Sequence, residues 1–94
     1  MNDQTREALL ILQEECAEVT QAISKVFRFG LDTQWPEGAP SNKWKLEEEV
    51  GDLLAMVDIL IENGTLSDSY INQARKNKRT KLKTWSNIFT KEQI

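Results

Sequence analysis

Histidine is missing from this chain altogether, and cysteine occurs once, as Cys16. The first absence excludes Ser-His and Cys-His nucleophile systems and the Glu-x-x-His ligand sets of di-iron bundles. The second excludes an internal disulfide. No apolar run approaches the roughly 20 residues of a membrane span, and none has the pattern of a secretory signal. Together these absences predict a cytoplasmic protein without a membrane partner, whose chemistry rests on carboxylates, lysines, arginines and metal ions.

Ninety-four residues with 39% hydrophobic content predict one domain, residues 1–94, with a marginal core. Burial between subunits is a ready source of the missing stability, so a homodimer or homotetramer is expected. The net charge of −3 argues against nucleic acid as a partner. Half of the twelve basic residues nevertheless fall between Arg75 and Lys83. That run surrounds a helix instead of striping one face, and Trp85 is its only aromatic neighbour, which again fits nucleic acid poorly.

Glycine and proline are scarce too, and their placement divides the chain. From Asp3 to Phe29 apolar residues recur at helical spacing without either breaker, and Gly30 follows as a C-terminal cap. Gly30 to Asn42 holds two glycines and both prolines, which predicts a loop, long enough to be functional. A second helix is expected from Lys43 to about Glu62, capped by Ser41 or Asn42 and stopped by Asn63-Gly64. A third runs from a cap at Thr65 or Ser67 to about Thr84, and the tail from Trp85 to Ile94 is expected to add a short helical turn. With no strand-period segment the fold class is all-α: about three main helices per chain, completed as a four-helix core by oligomerisation.

Two acidic pairs stand out on the first two helices: Glu15 with Glu18, and Glu49 with Asp52. Residues three apart on a helix project from one side, so each pair presents its oxygens as a jaw. At about 100° per residue, with Glu18 as origin, Glu15 falls at about 60°, inside an apolar arc between Ala22 at about 40° and Ala8 and Val26 at about 80°. Glu14 falls just outside that arc. On the second helix Glu49 lies among Leu53, Met56 and Leu60, and Asp52 at the edge of their stripe. Four carboxylates gathered away from water repel one another unless protons or cations neutralise them. Mg²⁺ suits such an oxygen cage and shares its ligands with substrate phosphates, with Mn²⁺ able to substitute. Pairing with Lys25, Lys45 or Arg28 is the plainer alternative for the same acids.

Glu14-Glu15-Cys16-Ala17-Glu18 followed by Glu49-Val50-Gly51-Asp52 resembles the EExxE and ExxD motifs of the all-α nucleoside triphosphate pyrophosphohydrolases, and above all their short MazG-like members. The likeness extends through Lys25 to Gly30, Leu46 to Leu54 and Lys78 to Trp85, although the thirty residues between Glu18 and Glu49 exceed the spacing in many members. Each motif alone is short; both in order, each on a helix, are more specific. The resemblance implies that Glu15, Glu18, Glu49 and Asp52 hold Mg²⁺. It also implies that Glu14 activates water or tunes the outer shell, and that a nucleoside triphosphate is hydrolysed between its α and β phosphates to the monophosphate and pyrophosphate.

Lys25 returns to nearly the face of Glu18, about 10 Å further along the axis, within reach of a phosphate leaving the cage. Arg28 is less well aligned, and both residues also suit the negative end of the helix dipole. Lys78 and Lys81 share a face and match lysines common in the resembled family, which marks them for phosphate contact. Trp35, Trp44 and Phe29 bracket the loop as stacking surfaces or as core residues. The competing readings are a non-catalytic helical oligomerisation or interaction module with a structural acidic cluster, and a bundle that binds cations without turnover.

Overall fold

Each of the three helices among the described residues begins on a side-chain cap. In the computed structural model, which describes residues 1–89, the Asn2 side chain accepts from Thr5 N (2.7 Å) and opens α1, Asp3–Phe29. Ser41 accepts from Trp44 N (3.1 Å) to open α2, Asn42–Glu62. Ser67 accepts from Tyr70 N (3.3 Å) to open α3, Asp68–Trp85. These bonds satisfy amide donors that the first turn of a helix leaves free. Gly30 ends α1 at φ 102° and ψ 152°, with its N–H on the Val26 carbonyl. That backbone conformation is essentially reserved for glycine.

Among the described residues the chain is all-helical with no strand, as the periodicity predicts. The expected helical turn after Trp85 is not formed by Ser86 to Phe89, which are non-helical: Ser86 caps α3 by placing its N–H on the Leu82 carbonyl. The remainder of that stretch, Thr90 to Ile94, lies outside the described residues. No helix of the described chain is long and apolar enough to cross a membrane.

The segment between α1 and α2 is irregular but tied at its base. Asn42 donates its side-chain amide to the Gly30 carbonyl (2.9 Å). Its backbone N–H reaches Thr33 O (3.0 Å), and Lys43 N reaches Leu31 O (2.8 Å). Thr33 donates its hydroxyl to Phe29 O, and Gln34 forms an isolated antiparallel bridge with Ser41. Asn42 is buried accordingly, at 8% exposure. A buried amide is tolerable because it is bonded.

This clasp sets α1 and α2 side by side, and they pack against each other along their lengths. Ala8 and Ala22 are buried on α1, seven residues to either side of Glu15, while Leu60 is wholly buried on α2. Small residues in that stripe let the helices approach closely, and the seven-residue spacing keeps Glu15 on the same face. No residue of α3 is buried. The result is flat: 44 × 39 × 16 Å, with a radius of gyration of 16.6 Å, where a compact chain of this length would give about 12 Å. Large apolar side chains remain in water, among them Leu10, Ile23, Phe27, Leu54 and Ile59.

Candidate functional site

The antiparallel register of α1 and α2 brings the two acidic motifs together. Glu15, Glu49 and Asp52 each offer a carboxylate oxygen, and these oxygens lie within 4.8 Å of one another. Glu15 and Glu49 are half-buried and Asp52 is exposed, the order expected from their angular positions on the two helices. One oxygen of Glu15, Oε2, is buried with no hydrogen-bond partner. A carboxylate oxygen in that state forfeits its hydration without recovering a bond.

The electrostatics follow from this geometry. Loss of water pushes the Glu15 carboxyl above the usual carboxylate range, and the neighbouring charges of Asp52, Glu18 and Glu14 push it further. Glu49 is raised in the same way, first by desolvation and then by Glu18, Asp52, Glu15 and Glu48. Every charge that displaces these two groups is another carboxylate. Pairing with Lys25, Lys45 or Arg28 contributes nothing to either shift. The donor set fits a hard divalent cation: oxygens only, like charges drawn together, and one buried oxygen left unbonded.

Glu18 is exposed and stands outside the tight trio, yet it is the leading charge acting on Glu49. It also lines a cleft of about 110 Å³ beside the trio, shared with Glu48, Glu49, Lys25, Asn42 and Lys45. Glu14 is exposed at the rim and acts on Glu15. Lys25 therefore reaches the cleft beside the carboxylates. Arg28 is turned instead onto the ring of Phe29, its guanidinium carbon 4.8 Å from the centroid, a cation–π contact. Lys78 lies on a shallow surface of α3 with Ile71, Ala74, Arg75 and Arg79, and Lys81 is exposed on the same helix. Neither lines the cleft beside the trio.

Lys45 is the cleft residue that sequence reasoning did not single out for phosphate contact. Its signal was available: it stands four residues before Glu49, hence on the same face of α2. Asn42 was expected only as an alternative cap to Ser41; Ser41 is the cap, and the Asn42 side chain holds the loop instead.

A family model, the MazG nucleotide pyrophosphohydrolase domain, matches residues 4–84 of the chain. Searches of curated proteins and of solved structures returned no match. Both acidic motifs, their meeting between α1 and α2 and the cleft beside them fall inside the matched span, and the chain is a member of the MazG nucleotide pyrophosphohydrolase family.

Proposed function

We propose that this protein is a Mg²⁺-dependent nucleoside triphosphate pyrophosphohydrolase that adds water across the α–β anhydride, giving the nucleoside monophosphate and pyrophosphate. The observation that carries the reading is the unpartnered, buried Glu15 Oε2 among the oxygens of Glu49 and Asp52. In a MazG-family chain such a group suits a cation seat. Glu15, Glu49 and Asp52, joined by Glu18, would hold Mg²⁺, or Mn²⁺ in its place. When bound, such an ion polarises phosphoryl oxygens and lowers the pKa of coordinated water, which supplies the activation that a chain without histidine otherwise lacks.

The remaining work falls to side chains around the cage. Glu14, exposed at its rim, is suited to accept a proton from the attacking water or to orient it. Lys25 and Lys45 line the adjoining cleft and neutralise phosphate charge as the P–O bond breaks. Arg28, Lys78 and Lys81 are further candidates for phosphate contact, the last two from a third helix that has no buried residue in its own chain.

Self-association belongs to the same proposal. One chain leaves Ile23, Phe27, Leu54 and Ile59 in water, and a homodimer or homotetramer in which α1 and α2 meet their copies would cover them as a four-helix core. The α3 helix of a neighbour would then be free to close over the nucleotide.

Pyrophosphate release from a panel of canonical and modified nucleoside triphosphates, with and without Mg²⁺, tests the function directly. Metal-dependent release that is lost in Glu49→Gln and Glu18→Gln, with helicity retained, is the expected result. Metal binding without release from any triphosphate would favour a cation-binding bundle instead. Absence of both would leave the acidic cluster of an interaction module.

A further inference from the structure

Two clefts share a wall at the loop end of the α1/α2 pair. Lys25, Asn42 and Lys45 line the small cleft beside the carboxylates, and the same three line a larger neighbour of about 490 Å³. The other walls of the larger cleft are Phe29, Thr33 and Trp35. A single path thus runs from acids, past two ammonium groups, to two aromatic rings. Metal-bound phosphate, further phosphate and base follow one another in the same order along a nucleoside triphosphate.

The chemistry of the aromatic end narrows what it can read. Trp35 is 82% exposed and Phe29 54% exposed, and Arg28 covers one face of the Phe29 ring. Two of its polar side chains are already engaged: Asn42 donates to Gly30 O and Thr33 to Phe29 O. Donors committed to the chain's own carbonyls are not free to interrogate base edges, whereas every base has a π-face. Discrimination by hydrogen bonding requires polar groups that are left unpaired by the wrong ligand, and the Asn42 and Thr33 donors of this cleft are satisfied without any ligand, while its two ammonium groups face the phosphate side.

We infer that the Phe29–Trp35 cleft holds the nucleobase of the substrate by stacking, with Lys25 and Lys45 on the phosphates between base and carboxylates. The chain then selects nucleotides over inorganic triphosphate without selecting strongly among bases. This rests on the hydrolase reading above for its substrate class and adds the orientation of the substrate and the basis of its selectivity.

Steady-state kinetics on dATP, dGTP, dCTP and dTTP provide the test, with inorganic triphosphate as a competitor lacking a base. The four kcat/KM values are expected to lie within about tenfold of one another. Trp35→Ala should lower all four by about 10–100-fold, mainly through KM, as loss of one base–aromatic stack requires. Trp35→Phe should recover most of the loss, and the inhibition constant of inorganic triphosphate should not change. A preference of more than about 100-fold for one base, beyond what stacking supplies, or an unchanged KM in Trp35→Ala, overturns the assignment.

A binding measurement separates this inference from the hydrolase reading. Trp44→Phe with Trp85→Phe leaves Trp35 as the only indole. Its fluorescence should be quenched by a nucleoside monophosphate and not by inorganic phosphate. Quenching in a protein that hydrolyses no triphosphate would sustain the cleft and defeat the hydrolase; turnover without quenching would do the reverse.

Discussion

Glu15 of α1 and Asp52 of α2 hold carboxylate oxygens within 4.8 Å of each other across the helix interface, and Asp52 is the leading charge that raises Glu15. Two acids meet where a packed interface would ordinarily place apolar atoms. The like charges oppose packing of the same two helices that bring them together.

Glu15→Gln should make the metal-free protein more stable than the parent at neutral pH, because a charge is removed from a cluster of its own sign while the side-chain shape is kept. Millimolar Mg²⁺ should raise the melting temperature of the parent, and the same substitution should abolish that rise. Thermal unfolding with and without Mg²⁺ reads both effects. An unchanged metal-induced rise would take Glu15 out of the cage.

The metal-free parent should gain stability as pH falls from about 7 towards about 5. Glu15 and Glu49 have folded-state pKa values above the ordinary 4.5, so between that value and their raised values the folded chain binds more protons than the unfolded one. Lowering pH through the raised values relieves their repulsion, and below the unfolded value no further gain is made. Denaturant midpoints measured across this range in EDTA should rise on acidification, and the rise should shrink in Glu15→Gln.

Association should be visible by sedimentation at micromolar concentration as a dimer or tetramer. Phe27 is 86% exposed in one chain, and Phe27→Asp should shift the distribution towards monomer and lower activity with it. A fully active monomer would sink the four-helix core.

Two glycines should respond in opposite senses to alanine. Gly51, within α2, has nothing within 4 Å of an added Cβ, so Gly51→Ala should stabilise by about 0.5–1 kcal/mol through helix propensity. Gly30 sits at φ 102°, and a Cβ there would meet Thr33 Oγ1 at 3.0 Å. Gly30→Ala should cost about 1–3 kcal/mol. Urea unfolding of the two variants distinguishes the cases.

The helices were legible because their signals are local. Ser41 and Ser67 were among the caps expected, Gly30 was the expected end of α1, and the observed boundaries of α2 and α3 lie within a residue or so of the expected ones. Angular position on a helix also separated half-buried Glu15 and Glu49 from exposed Glu14. What periodicity could not supply was the tertiary register. It could not show that Glu18 would stand beside the tight trio instead of within it, that Lys45 would share a cleft with Lys25, or that Arg28 would turn onto Phe29. The first two outcomes depend on which turn of α1 lies level with which turn of α2, which the Asn42–Gly30 clasp helps to set; the third is a rotamer choice at the end of α1.

The clasp has an evolutionary corollary. Its bonds close the segment between α1 and α2 at the base, from Gly30 and Leu31 on one side to Asn42 and Lys43 on the other. A closed base isolates the tip mechanically from the carboxylates. Changes of length between the two ends of the clasp are thereby decoupled from the spacing of Glu15, Glu49 and Asp52, so this lineage can remodel what approaches the cleft while the acids stay in register.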